Sequence, residues 1–505
     1  MAGRSALIGV DVGTTNIKVA AFDITGTVVG VASKPIDAER PAPGCGEYDP
    51  EVLFDTVCAL LRQVSDELGD RHVVEGLAVA SMAETAFPLD GSGRPLRNGL
   101  AWWDERGREY SDELAERCGQ AWWYGRAGMH LSPLVGVTKM LWLRNDDPEL
   151  FSHMRAWLNV ADYIVYRLTG KMATDRSLGS RLCLMNVAEG EWSDELLSET
   201  GLDSDVFAPL VDSGQRVGVL TAEMAERTGL TSGTPFGAGG MDHPVAAFGA
   251  GIARPGDVLD SMGTSEALLG VTDHVVLEPN LAALRYQQGI HVVPGSNYVL
   301  AGMATAGSAI EWLYSTLWGG ELEGRDYGRI LDAMRDSPPG SGGLTFLPYL
   351  LYLPPGLEPN SGRGALLGVS TATTQADIVR SLIEGVAQSV RFMLDSLARD
   401  FGVDRSRALA VGGGTKNAPM MEIKAALFGG SVRVGRGEAA TRGAAMLGGV
   451  AAEVFDDHHD AVASMVAPTE TVSADAALVE TYERLYLDRF LPTQQALLPH
   501  FDLWT

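Results

Sequence analysis

The chain is poor in the residues on which several kinds of protein depend. Its four cysteines, Cys45, Cys58, Cys118 and Cys183, stand far apart with no CxxC spacing, which argues against a disulfide framework or a cysteine-based zinc site. Basic residues number 39 against 65 acidic ones, a formal net charge of −26. Such a surplus repels DNA, RNA and anionic membranes, so neither nucleic acid nor membrane is expected as a partner. It does not bar a phosphorylated ligand, because backbone N–H groups bind phosphate without a basic domain. No run of about 18 apolar residues occurs, and the first residues lack a basic stretch followed by an apolar core and a cleavage site. A cytoplasmic location is the expectation. Familiar nucleotide motifs are missing too: Thr169-Gly170-Lys171-Met172 has neither the spacing nor the hydroxyl of a P-loop, and no GxGxxG links a strand to a helix.

What is present is an ordinary globular composition, 505 residues with 46% hydrophobic and 21% charged. The length fits about three domains of ~150 residues or two larger α/β ones. Two short stretches look like one device used twice: Asp11-Val12-Gly13-Thr14-Thr15 and Ser261-Met262-Gly263-Thr264-Ser265. Each lies between apolar, strand-like runs and reads as a hairpin turn with a glycine and two hydroxyl residues. Glycine lets backbone approach a ligand closely, and successive turn N–H groups with Ser or Thr hydroxyls cradle phosphate oxygens. Two such turns 250 residues apart suggest a duplicated domain gripping one phosphorylated ligand.

The periodicity supports two halves with similar openings. Residues 6–12, 17–23 and 27–33 read as successive strands, with a helix at 50–69 behind the Asp49-Pro50 start signal and a strand at 73–79. After Gly249 the order begins again, with strands at 257–259 and 267–270, a long helix at 377–400, a strand at 408–411 running into Gly412-Gly413-Gly414, and then helix, strand and helix at 418–428, 431–434 and 438–452. This pattern predicts an α/β protein of two domains, 1–249 and 250–505, with mixed sheets flanked by helices. Residues 336–343 read as a surface loop.

Further motifs carry a resemblance. Gly364-Ala365-Leu366-Leu367-Gly368-Val369, then Asp377-Ile378 through Ser381-Leu382-Ile383-Glu384-Gly385, is similar at every specified position to the C-terminal pattern of the FGGY carbohydrate kinases. Lys139-Met140-Leu141-Trp142-Leu143 matches the N-terminal pattern in part, and Asp162-Tyr163, Leu168-Thr169-Gly170 and Thr174-Asp175 also resemble the family. The likeness spans about residues 5–452. It implies the fold group of sugar kinases, actin and Hsp70 ATPases: two duplicated ribonuclease-H-like domains with an ATP cleft between them.

The resemblance implies roles residue by residue. Asp242, in Gly239-Gly240-Met241-Asp242-His243, matches the catalytic base, and phosphoryl transfer to a hydroxyl needs such a proton acceptor. Asp11 matches the acidic residue near Mg²⁺, a cation that uses one or two carboxylates besides water and phosphate oxygens. Gly13, Thr14 and Thr15 would hold the far phosphates of ATP, and Gly263, Thr264 and Ser265 the opposing side. Gly413 and Gly414, with Gly412 and Asn417, resemble the adenosine-contacting loop, where Asn417 could equally cap the next helix. Gly307, in Thr305-Ala306-Gly307, would lie near the nucleotide.

The sugar pocket departs from relatives that carry Gln-Met-His-Gly. Here the stretch is Ser81-Met82-Ala83-Glu84-Thr85, and a Glu84 carboxylate suits vicinal hydroxyls, although a structural ion pair is an equal reading. Trp102 and Asp104, in Trp102-Trp103-Asp104-Glu105-Arg106, are in register with the family's Trp-x-Asp-x-Arg, so that Trp102 would pack on sugar C–H groups and Asp104 accept from hydroxyls. The segment after Phe346-Leu347-Pro348-Tyr349 lacks the family's usual Glu-Arg pair. The expected activity is ATP-dependent phosphorylation of a ketose, polyol or sugar acid, and the likeness leaves room for a homodimer. A non-kinase ATP-binding switch of the actin/Hsp70 group and a degenerate sugar sensor remain alternatives.

Overall fold

A computed structural model describes residues 4–320, 328–358 and 363–504. Strands Arg4–Val12, Asn16–Asp23 and Val28–Pro35 form an antiparallel meander. The first of them is buried on both faces through most of its length, as its unbroken apolar run requires. On its other side it pairs in parallel with His72–Ser81, which pairs in parallel with Pro235–Met241, and Arg216–Val219 closes that edge antiparallel.

A second sheet repeats the plan. Asn297–Met303, Glu266–Thr272 and Val258–Met262 are antiparallel neighbours, Ala408–Val411 and Ser431–Val434 follow in parallel, and Glu470–Ser473 closes antiparallel. Gln287–Ile290 adds one strand beyond the meander. Across both sheets the pairing senses run in the same order, two antiparallel, two parallel, one antiparallel. The strands of the first sheet end at Met241 and those of the second begin at Val258.

Helices cover the sheets for reasons visible in their residues. Pro50–Leu68 starts at Asp49, whose carboxylate accepts from Glu51 N at 2.7 Å and Val52 N at 3.1 Å. Gln375–Phe401 opens with a reciprocal cap between Thr374 and Asp377 and buries Leu382, Ile383, Val386, Val390, Met393, Leu394 and Leu397 completely. Each such side chain contributes roughly 1.5–3 kcal/mol of apolar burial. Ile378, expected on that stripe, is only half-buried, and Val379 takes the core position.

Helix Ala439–Ala451 belongs to the second half of the chain but lies on the first sheet. A Cβ at Gly9 would collide with the Thr441 carbonyl, one at Gly443 with the Val245 carbonyl, and one at Gly448 would come within 2.6 Å of Leu77 Cα. The contact is backbone on backbone, which only hydrogen side chains permit.

The 336–343 segment is not simply a surface loop. Ser337 and Ser341 are buried, donating to Asp377 Oδ1 at 2.6 Å and Glu384 Oε2 at 2.8 Å, while Gly340 N donates to Glu384 Oε1 at 3.0 Å. Among the described residues no helix is long and apolar enough to cross a membrane.

Candidate active site

Three parallel strands of the first sheet end side by side. Val12 is in register with Ser81, and Met241 with Ser81 on the other flank. Their carboxyl ends therefore deliver the Gly13 turn, Met82 and Asp242 to one edge, where open α/β sheets bind ligands. Met82 is buried, its N–H donating to Val12 O at 3.0 Å.

Asp242 is the first residue of helix Asp242–Gly249 and is half-buried, its Oδ1 accepting from His243 N at 2.7 Å. Asp11 stands beside it on the first strand. Burial, and secondly the Asp242 charge, push the Asp11 carboxyl up to about 7, with Lys18 acting the other way. Asp11 Oδ1 is buried without a hydrogen-bond partner. Two carboxylates in mutual repulsion, one with an orphaned oxygen, fit a hard cation. Among the described residues no cluster of three or more His, Cys, Asp or Glu could hold a metal by itself, so water and phosphate oxygens would complete such a site.

The strand that leads to Asp242 is anchored from behind. Met241 N donates to Ser177 Oγ at 2.9 Å, and Asp175 accepts from the N–H groups of Ser177 (2.8 Å) and Leu178 (3.2 Å) and from the hydroxyls of Ser177 and Ser213. Burial raises Asp175 to about 6 despite those donors.

In the first turn Gly13 N donates to Asn16 O at 3.0 Å. Thr14 is gripped twice: Tyr48 Oη donates to its carbonyl at 2.7 Å, and Trp102 Nε1 to its hydroxyl at 3.0 Å. Trp102, 37% exposed, is thus brought from the expected sugar segment to the expected phosphate turn. Thr15 is exposed. Lys18 pairs with Glu438 at 2.7 Å, linking this hairpin to the segment entering helix Ala439–Ala451.

The second turn is built against two glycine segments. Gly263 N donates to Ser265 O at 2.9 Å, and Gly307 N and Ser308 N donate to the carbonyls of Gly263 (3.2 Å) and Thr264 (3.0 Å). Gly412 has φ 96° and could carry no side chain, since its Cβ would lie 2.5 Å from Met262 O. A Cβ on Gly414 would lie 2.8 Å from Met262 Cβ. Gly263, Thr264, Ser265, Gly307, Gly413 and Gly414 therefore form one cluster at the end of strand Val258–Met262. Asn417 caps helix Ala418–Leu427, its Oδ1 accepting from Met420 N at 3.1 Å. The Thr305 hydroxyl is occupied by Pro348 O at 2.7 Å. Behind the turn, Lys424 is fully enclosed with Asp260, at 2.5 Å, and Glu266.

The sugar segment divides into two kinds of carboxylate. Asp104 is wholly enclosed, and its oxygens accept from Gly46 N (2.7 Å), Arg106 N (2.9 Å) and the Arg106 guanidinium (2.8–3.1 Å). All of its roughly four lone-pair sites are engaged, so the expectation that it accepts from a substrate hydroxyl does not fit this geometry. It anchors Arg106 instead, which also reaches Glu47 at 2.8 Å. Glu84 follows strand His72–Ser81 with φ 59°, a left-handed conformation uncommon outside glycine and found where surroundings enforce it. Its Oε1 accepts from Arg181 Nε at 2.6 Å and pairs with Nη2 as well. Buried Lys139 donates to the carbonyls of Trp102 and Asp104, both at 3.2 Å, and of Pro133 and Leu134, both at 3.4 Å.

Sequence reasoning missed Arg181, Tyr298, Lys424 and Glu266. Arg181 offered one signal, a lone cation in the apolar run Leu178-Gly179-Ser180-Arg181-Leu182-Cys183-Leu184. Tyr298 offered none, since its hydroxyl meets Met241 Sδ at 3.5 Å from a strand 57 residues away.

The chain was compared with known proteins. The models of the FGGY family of carbohydrate kinases match residues 6–249 with the N-terminal domain and 259–452 with the C-terminal domain. A xylulose kinase of Lactococcus lactis is 27% identical over 454 residues, covering 89% of this chain and 88% of its own. The crystal structure of xylulose kinase from Rhodospirillum rubrum superposes with TM-score 0.90 at 28% identity, over 98% of this chain and 100% of that one. That of gluconate kinase from Lactobacillus acidophilus gives TM-score 0.91 at 22% identity, over 99% and 100%, a likeness of fold. With its paired mixed sheets, this chain belongs to the FGGY family of carbohydrate kinases, enzymes that move a phosphoryl group from ATP to a sugar hydroxyl.

Proposed function

We propose that Asp242 is the general base of this kinase, and that residues 1–249 and 250–505 form the two walls of its cleft. The observation that carries the reading is the shared strand edge that sets Asp242 beside Asp11, between the Gly13 turn and Met82. The Asp242 carboxylate accepts the proton of the substrate hydroxyl as its oxygen attacks the γ-phosphorus. The new O–P bond forms while the bond to the bridging oxygen breaks, and ADP leaves with that electron pair.

Gly13, Thr14 and Thr15 hold the donor's phosphates from one side and Gly263, Thr264 and Ser265 from the other, through turn N–H groups and hydroxyls. Gly307, Gly413 and Gly414 leave room for the nucleoside, while Asn417 serves its helix cap. Asp11 would hold Mg²⁺, which when bound offsets the negative charge of the phosphates. Met82, Glu84 and Trp102 form the sugar side, with the indole face of Trp102 against C–H groups. Closure of the walls excludes water, so that the hydroxyl and not water is the acceptor.

The test is ADP release against three- to six-carbon polyols, ketoses and sugar acids. Asp242→Asn is expected to lower turnover at least about 100-fold, the low end of general-base contributions, with nucleotide affinity within a few-fold of the parent. Near-normal turnover in that variant overturns the assignment.

A further inference from the structure

The strand that carries Asp242 is irregular just before it. Phe236 and Gly237 are in register with Leu77 and Ala78, but Gly240 stands opposite Ala80, so three steps along this strand match two along its partner. An extra residue in a strand bends it and re-aims the side chain that follows. The irregularity leaves no slack. A Cβ on Gly239 would collide with the Val79 carbonyl, and one on Gly240 would lie 2.7 Å from Ser177 Oγ and 3.2 Å from Asp175 Oδ1. The Asp242 carboxylate is steered by its own neighbour, His243 N at 2.7 Å. Its place in space is therefore set by the backbone that leads into it.

That backbone is held by a side-chain relay. Met241 N donates to Ser177 Oγ at 2.9 Å, and the Ser177 hydroxyl donates in turn to Asp175 Oδ1. All three residues are buried. A serine hydroxyl rotates to suit its surroundings; with its proton committed to Asp175, a lone pair is turned to the Met241 N–H. Asp175 is itself fixed, because Oδ1 also accepts from Ser177 N at 2.8 Å and Leu178 N at 3.2 Å, and Oδ2 from the Ser213 hydroxyl. Its backbone is in parallel register with Val211. A hydroxyl alone would satisfy the Met241 N–H; the carboxylate adds direction.

We propose that Asp175 and Ser177 are positioning residues for the phosphoryl transfer: their relay fixes the peptide entering Asp242 and so holds that carboxylate in line with the substrate hydroxyl. The inference rests on Asp242 as the general base. Asp175 acts through Ser177, and Ser177 through the Met241 peptide. What the relay needs from Asp175 is an acceptor at Oδ1. The amide in Asp175→Asn keeps that acceptor and turns its NH2 toward Ser213 Oγ, which can accept. A misplacement of about 1 Å at a reacting group costs on the order of 100-fold in rate, so a loosened relay is read in kcat and not in binding.

The experiment measures ADP release with the most rapidly phosphorylated of the polyols, ketoses and sugar acids above. Ser177→Ala is expected to lower kcat at least about tenfold while KM for ATP and for the sugar stays within about threefold. Ser177→Cys fills the same space with a weak acceptor; it is the second variant, expected to show the same split where Ser177→Ala does not fold. In the Asp242→Asn protein, adding Ser177→Ala is expected to lower the residual turnover less than about twofold, because the base that the relay aims is gone. Asp175→Asn is expected to keep kcat within about threefold of the parent. Parent-like kcat in the Ser177 variants, a loss confined to KM, or an equal loss in the Asp242→Asn background overturns the relay and leaves the base standing. A loss of about tenfold or more in Asp175→Asn overturns the part given to Asp175. Near-normal turnover in Asp242→Asn itself overturns the base on which the relay rests.

Discussion

Asp11 is a group whose place costs the protein stability. Its folded pKa of about 7 lies above the ordinary 3.8, so between those values the native state keeps a proton that the unfolded chain has lost. Stability contributed by this residue therefore falls as pH rises from about 4 to 7. Asp11→Asn is expected to raise the melting temperature of the ligand-free protein at pH 7.5 and to flatten its decline across that window, while ADP release drops by about two orders of magnitude. A lower melting temperature would show that Asp11 is structural. Lys139 runs the other way in pH: burial lowers it from 10.5 to about 8, and stability rises between those values as the native state sheds its proton first. Lys139→Met takes the donor from four carbonyls and is expected to cost about 1–3 kcal/mol in urea unfolding and to raise KM through displacement of Trp102. Residue types at the ends of strands were legible from sequence, as Asp11, Met82 and Asp242 illustrate. What Asp104 does was not, because Gly46, 58 residues away, takes part of its hydrogen-bonding capacity.

The elements themselves followed closely from periodicity, and the long helix expected at 377–400 spans Gln375–Phe401. Its family pattern turns out to be scaffold. Asp377 caps the helix, Glu384 holds the 336–343 segment and accepts from Arg380 Nε and Tyr482 Oη at 2.9 Å, and a Cβ on Gly385 would collide with the Phe346 carbonyl. The motif most specific to the family thus docks a loop. The buried triad under the second turn escaped notice because Lys424 lies between apolar Ile423 and Ala425 on the buried side of its helix and meets partners on two strands. Lys424→Met leaves Asp260 and Glu266 enclosed without a cation, and burial already drives Glu266 well above the usual carboxylate range. The expected loss is about 3–5 kcal/mol in chemical unfolding, most of it recovered in Lys424→Met/Asp260→Asn/Glu266→Gln. Failure of the triple variant to recover would mean that the ion pairs, and not the stranded charges, set the stability.

At the scale of the molecule, the repeat of pairing senses in two sheets makes the duplication visible, and two glycine turns were enough to suggest it. Periodicity could not say which sheet a helix covers, and Ala439–Ala451 lies on the one that its own half does not build. That placement ties folding to the direction of synthesis. The first sheet is complete as a strand set once Met241 has emerged, yet the helix that shields one of its faces is made about 200 residues later, roughly 10–40 s at ordinary elongation rates. In that interval an apolar face, with the bare backbone at Gly9, Gly76 and Gly237, has the short helix Asp242–Gly249 beside it but lacks the longer one that packs on those glycines. Residues 1–249 expressed alone are therefore expected to aggregate or bind chaperones, and to become recoverable when residues 250–505 are co-expressed. A well-folded, monomeric 1–249 fragment would show that the late helix is dispensable. On this view the nascent enzyme is most vulnerable during its own translation, and slowing elongation across the second half should lower its yield more than slowing it across the first.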